Sequence, residues 1–203
     1  IREVELPEPG PNDVLLSIKA SGICGTDLHI ARTEARDWQP FGHEIVGLVE
    51  KIGSNVGNVS LGDKVVVESG SFCGKCADCR NGRVDLCHDR TPNVFSRVES
   101  DGFTMGFAEK IIVDSQNVVP FEGVSFQEAS LVEPMGVALD LSYTVKPELN
   151  DDVLVVGLGP IGLMATQIAK AMGARHVFAA NHSRSKIRRS EERRVGKECR
   201  SRW

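Results

Sequence analysis

No run of apolar residues in this 203-residue chain approaches the ~20 needed to cross a bilayer, so no membrane-spanning helix is expected. Positive charge is not in excess: 24 Lys and Arg stand against 28 Asp and Glu, a net charge of −4. A nucleic-acid partner is therefore not expected. No secretory signal opens the sequence. No methionine opens it either, and Ile1 leads at once into strand-like text, so a truncated N-terminus is expected. The cytoplasm is the expected location. What is present suits a globular protein: 41% of residues are apolar, and the length covers one domain plus part of a second.

Six cysteines occur, and four of them crowd into fifteen residues: Cys73, Cys76, Cys79 and Cys87. Without a secretory signal, metal binding is a better reading of that cluster than disulfides. Four thiolates at such spacing can close a tetrahedral shell around one zinc ion. Gly74 and Gly82 allow tight turns around it. All four ligands are cysteine, so no position stays open for substrate, and this zinc is expected to be structural. Reduced thiols without a metal, or stray disulfides, are the plain alternative.

The order of elements is legible in outline. Strands are expected at 13–20, 42–52, 65–68 and 107–113, with turns at Gly53–Gly57 and Leu61–Lys64. Residues 69–92 read as irregular, and the text from 114 to Val124 reads as loop. Ser125-Phe126-Gln127-Glu128 is a capping box that opens a helix. The sequence changes character at Asn150. Val153–Gly157 is a continuous apolar run, which predicts a buried parallel strand. Residues 160–172 place Ile161, Met164, Ala165, Ile168 and Met172 on one helical face. His176–Ala180 reads as a second strand. The fold class is thus α/β: a β-rich domain over 1–150, with a cysteine lobe at 69–92, then the first β-α-β unit of a second domain over 151–188.

Two further constellations carry chemistry. Cys24 lies in Cys-Gly-Thr-Asp-Leu-His (24–29), and Gly42-His43-Glu44 follows it. A thiolate, an imidazole and a carboxylate from separated segments make a mixed zinc site, the kind that keeps an open position for catalysis. Glu133, in Val-Glu-Pro, is a further carboxylate. Taken singly, such a Cys is more often a small core residue, and such a Glu a surface one. The third constellation is Gly157-x-Gly159-x-x-Gly162, set between an apolar strand and an apolar-faced helix. Gly157 suits a tight turn, Gly159 a close approach of a pyrophosphate, and Gly162 close helix–strand packing. A glycine-rich turn without a ligand is the alternative.

These motifs, GICGTDLH (22–29), GHE (42–44), the cysteine lobe (73–87), VEP (132–134) and VGLGPIG (156–162), together resemble the zinc-dependent medium-chain dehydrogenases. That family includes the alcohol, sorbitol and threonine dehydrogenases. The resemblance runs over residues 1–188. It implies a GroES-like catalytic domain, the start of a Rossmann domain, and an active site in the cleft between them. It implies two Zn2+ per chain. Cys24 and His43 match the catalytic zinc ligands, Glu44 matches the adjacent carboxylate that ligates that metal or exchanges with water there, and Glu133 matches a third ligand or a carboxylate bonded to the zinc water. A Glu at that position resembles the sorbitol and polyol branch. Asp27 matches the carboxylate that orients the histidine ligand, and Thr26 and His29 match the proton relay. The cysteine lobe matches the structural zinc site.

The resemblance also implies hydride transfer between a small alcohol or polyol and NAD or NADP, in a homodimer or homotetramer. Gly157, Gly159, Pro160, Ile161 and Gly162 would hold the cofactor. At the end of the second strand Asn181 stands where a carboxylate would favour NAD. With Arg184 and Lys186 close behind, the balance leans slightly to NADP. The short span from Cys24 to His43 leaves the particular polyol open. A zinc-lobe binding module without catalysis and a zinc-free quinone reductase are the rival readings. Residues 189–203 have no apolar periodicity and resemble the translation of a sequencing adapter, so family-like text is expected to end near Arg188. Without that segment's six basic and three acidic residues, 18 and 25 remain, a net of −7, and Cys199 drops out of the count. A polypeptide that stops there is expected to be poorly folded and inactive.

Overall fold

A computed structural model describes residues 1–33, 38–70, 72–89 and 104–181. Arg184, Lys186, Cys199 and the 189–203 segment lie outside the described residues. The chain forms two compact units, Ile1–Glu133 and Pro134–Trp203. The sequence changes character later, near Asn150, and helix α4 (Val132–Val145) fills most of the interval.

The first unit is built on a five-stranded antiparallel sheet in the order β4-β1-β2-β3-β5. Its strands are β1 (Asp13–Gly22), β2 (Glu44–Ile52), β3 (Lys64–Val67), β4 (Lys110–Asp114) and β5 (Val118–Pro120). Val14, Leu16, Ile45, Val65 and Ile111 are 0–2% exposed and form the centre of one apolar cluster. Each such side chain contributes about 1.5–3 kcal/mol by leaving water. Truncating Leu16 to Ala would cost about 2–5 kcal/mol, because the cavity could not close.

The expected strands are present with shifted ends. The last begins at Lys110 rather than 107. The text read as loop after it contains a 3-10 turn, Ser115–Asn117, and the short strand β5, whose edge position tolerates Pro120. Between β1 and β2 lies helix α1 (Gly25–Thr33), which has no apolar stripe and buries only Asp27. The capping box forms as expected: Ser125 and Glu128 satisfy each other's backbone at the start of α3 (Phe126–Ala129). That helix stops after one turn, and α4 follows it.

The second unit contains β6 (Asp152–Val156), α5 (Pro160–Ala171) and β7 (His176–Ala180). β6 and β7 pair in parallel, as a β-α-β unit requires. The apolar run at Val153–Val156 is only half as buried as expected. Val153 and Val155 pack against Ala169, Ala174 and Val177, but Leu154 is 60% and Val156 78% exposed. One helix covers one face of a two-stranded sheet, so alternate residues face away from it. The buried side of α5 also differs from expectation. Met164 is buried, but Thr166 and Ala169 are buried in place of Ala165 and Ile168. Small residues at 162, 166 and 169 let the helix lie close on β6. Among the described residues no helix is long and apolar enough to cross a membrane.

Candidate metal centres and dinucleotide turn

The sheet register builds the first centre. Gly22, the last residue of β1, pairs with Glu44, the first of β2. Cys24 therefore leaves one strand where His43 enters the other. The ligand atoms of Cys24, His43 and Glu44 all lie within 4.8 Å of one another. His43 and Glu44 are buried, at 5% and 8% exposure, and Cys24 is half-buried. The Glu44 carboxylate folds back over Gly22, with Oε2 only 1.8 Å from where a Cβ would stand. Burial raises the Glu44 pKa above the usual carboxylate value. Repulsion from Glu133 adds to this, His43 opposes it, and Asp27 adds to it again. A buried acid crowded by other acids is a strained arrangement that a cation would relieve. Thiolate, imidazole and carboxylate are also the donor set that suits zinc.

Asp27 ties the two segments together. Its Oδ2 accepts from the Cys24 backbone N–H at 2.9 Å, and its Oδ1 accepts from Gly42 N–H at 3.2 Å. The same Oδ1 lies 3.4 Å from His43 Nδ1. Thr26 N–H points at Cys24 Sγ, 3.5 Å away. Thr26 and His29 are both exposed on α1, three residues apart and so on one side of the helix. Glu133 stands outside the three-donor group. Its Oε1 accepts from the Ser69 hydroxyl at 3.0 Å, and its charge reaches Glu44. Glu44 rather than Glu133 completes the trio. Nothing in the sequence pointed to Ser69, because its partner is far along the chain.

The second centre is the cysteine lobe. Cys73, Cys76, Cys79 and Cys87 are free thiols whose sulfurs lie within 4.8 Å of one another. Backbone N–H groups point at them: Cys73 N to Cys87 Sγ at 3.3 Å, Cys76 N to Cys73 Sγ at 3.3 Å, and Cys79 N to Cys76 Sγ at 3.5 Å. Helix α2 (Ala77–Arg80), capped by Cys76, and a 3-10 turn at Val84–Leu86 bring the last two cysteines inward. Gly74 and Gly82 have positive φ, 69° and 77°. Amide donation from Lys75 and Cys76 holds the Cys73 thiol down to about 7. Desolvation, with the neighbouring Cys76 thiol, pushes Cys79 up to about 12. Four sulfurs so close need a cation or protons to share the space.

The third feature is the turn between β6 and α5. Gly157 has φ 95°, and its N–H donates to Ala180 O at 2.8 Å. A Cβ on Gly162 would fall 1.8 Å from the Gly157 carbonyl oxygen, so no other residue fits there. Gly159 differs. It caps α5 with extended backbone, and a Cβ there would meet no protein atom within 4 Å. The chain itself does not require glycine at 159, whereas a ligand laid against the helix N-terminus would. Pro160 occupies the first turn and Ile161 is half-buried. Asn181 Oδ1 accepts from the Leu158 N–H at 3.3 Å, tying the end of β7 to this turn.

Residues 10–123, more than half of the chain, match the alcohol dehydrogenase GroES-like domain. L-threonine 3-dehydrogenase of Pyrococcus furiosus is 39% identical over 201 residues, covering 96% of this chain and 55% of the relative. The crystal structure of galactitol-1-phosphate dehydrogenase from Escherichia coli superposes with a TM-score of 0.81 at 29% identity, covering 94% of this chain and 55% of that one. A structure described as a zinc-binding dehydrogenase from Sinorhizobium meliloti, bound to NADP, gives 0.81 at 33% identity, covering 96% and 56%. The chain thus spans about half the length of the proteins it matches. Register, donor set, cysteine lobe and glycine turn converge with these matches: the chain belongs to the family of alcohol dehydrogenases with a GroES-like domain, the zinc-dependent medium-chain dehydrogenases.

Proposed function

We propose that the chain is the catalytic-domain part of a zinc-dependent oxidoreductase that moves a hydride between a secondary alcohol and NAD or NADP. The observation that carries this reading is the Cys24–His43–Glu44 trio, three chemically different donors within 4.8 Å. A zinc ion held there would supply Lewis acidity to a hydroxyl group. Asp27 orients His43 and fixes both flanking segments through Cys24 N and Gly42 N. Thr26 and His29, exposed on one side of α1, pass the proton outward. The Gly157–Gly162 turn, with Pro160 and Ile161, would receive the cofactor pyrophosphate, and Asn181 would be the residue to meet a ribose hydroxyl. The four-cysteine lobe would hold a second, structural zinc.

Within the alcohol class, Glu133 supports a polyol substrate. The 39% identity to an L-threonine 3-dehydrogenase supports a second reading, a hydroxy-amino acid. Comparing sorbitol-type polyols with L-threonine in NAD(P) reduction by an enzyme carrying these residues separates the two. Metal analysis tests the core of the proposal. Two zinc ions per chain are expected, and Cys24→Ser should remove one and leave the other. One zinc in the unaltered chain favours a binding module, and none favours a zinc-free reductase. Two zinc ions retained in Cys24→Ser would mean the mixed site is wrongly assigned.

A further inference from the structure

Glu133 would act at the mixed centre only if its flexible side chain is held in place, and one polar arrangement in the first unit restrains it. The Ser69 hydroxyl donates to Glu133 Oε1 at 3.0 Å. Ser69 follows the end of β3 on a short loop, and that loop is fixed from both sides by one residue. Asn117 Nδ2 donates to the carbonyls of Glu68 and Gly70, at 3.1 and 2.5 Å. The Asn117 carbonyl accepts from Glu68 N–H at 2.7 Å. Asn117 is 4% exposed, and its place is set by the 3-10 turn that Asp114 caps. Three bonds from a buried side chain and its backbone thus bracket Ser69 without using Ser69 itself. The serine hydroxyl is left to face Glu133.

We propose that Ser69 is the positioning residue for Glu133: its hydroxyl holds one carboxylate oxygen, and Asn117 clamps the loop that carries the hydroxyl. The inference rests on the mixed metal centre proposed above. With Oε1 committed to Ser69, Oε2 is the Glu133 oxygen left for a cation at the mixed centre. An alanine at 69 would release the carboxylate into many rotamers and return it to water. A hydrogen-bond partner of this kind is worth about 10–100-fold in metal affinity or activity.

The test uses the full 203-residue chain loaded with Zn2+ or Co2+, with the fold of each variant compared with the wild type by circular dichroism. Chelator competition measures affinity at the mixed centre, and the visible Co2+ spectrum reads its geometry. Ser69→Ala is expected to weaken that affinity about tenfold and shift the Co2+ bands, with the four-cysteine ion unaffected. Ser69→Thr, which keeps the hydroxyl, is expected to restore both. In a Glu133→Gln background the alanine effect is expected to vanish, since the two residues act as one pair. Wild-type affinity and spectrum in Ser69→Ala would overturn the proposal. So would an undiminished alanine effect in the Glu133→Gln background. Retention of both metals in Cys24→Ser would instead overturn the underlying site assignment, so the two failures are distinguishable.

Discussion

Asp27 Oδ1 lies 3.4 Å from His43 Nδ1, and the same carboxylate accepts from the backbone of both Cys24 and Gly42. One buried acid thus serves two tasks, orienting an imidazole and closing the chain around it. Asp27→Ala should leave the two backbone N–H groups without this acceptor, at about 1–3 kcal/mol for each that stays buried. It should also weaken metal binding at the mixed centre by about 10–100-fold. Denaturant midpoints measure the first effect and chelator competition the second. An unchanged metal affinity in a folded Asp27→Ala chain would show that His43 is oriented by something else.

The glycines of the dinucleotide turn should separate in their behaviour. Gly162→Ala drives a Cβ into a backbone oxygen 1.8 Å away, and neither can move aside cheaply. Loss of about 1–3 kcal/mol or more from the second unit is expected, read by thermal unfolding. Gly159→Ala meets no protein atom within 4 Å and should leave stability nearly unchanged. Its effect should appear in dinucleotide binding, as a loss of about tenfold, or ~1.4 kcal/mol. Equal stability losses for the two variants would contradict a ligand role for position 159.

Acid sensitivity of the second unit should centre on Asp152. Hydrogen bonds from Arg175 and then His176 hold its carboxyl down to about 2, against an ordinary 3.8. A depressed acid pKa contributes stability that is present above the unfolded value and is lost as pH falls through the folded one. The contribution should therefore be full above about pH 4 and fade toward pH 2. The pair is exposed, so the effect should be modest. Asp152→Asn should flatten this acid limb in unfolding curves, with little change in slope at neutral pH.

Removing one lobe ligand should be a local event in metal content. Cys76→Ser should lower zinc from two ions per chain to one and leave the mixed centre able to bind. The same change should open residues 72–89 to protease, since α2 is a single turn capped by that cysteine. Zinc counts by elemental analysis and a limited digest check both outcomes. Loss of both ions would mean the two centres fold together.

Among the described residues Leu154, Val156 and Phe178 are exposed on one side of the β6–β7 pair. Such a patch should bind a hydrophobic dye. Dye fluorescence unchanged by Leu154→Ser with Val156→Ser would refute the expectation.

Much of this was legible in the residues because the constraints were local or chemically loud. The capping box needs only three residues of separation, and its Ser125–Glu128 bonds are present. The four cysteines announce themselves by type and spacing. Gly157 and Gly162 are five positions apart and are fixed by one strand-to-helix junction. Helix α1 was not legible, since its single buried residue, Asp27, is held by hydrogen bonds rather than by an apolar stripe. β5 was not legible because three residues ending in proline carry little strand signal. Ser69 and Asn117 were hidden for a different reason. Their bonds join residues 64 and 47 apart, and such contacts leave no periodic trace. The exposed half of β6 was misread because a valine run records its composition, not the number of layers that cover it.

The Asn117 clamp has a mechanical side. It grips the chain at Gly70, three residues before the first lobe cysteine. Motion of the lobe therefore meets a fixed anchor before it can reach Ser69 and Glu133. A change of length between Cys79 and Cys87 would lie beyond Gly70, on the far side of this anchor from Ser69.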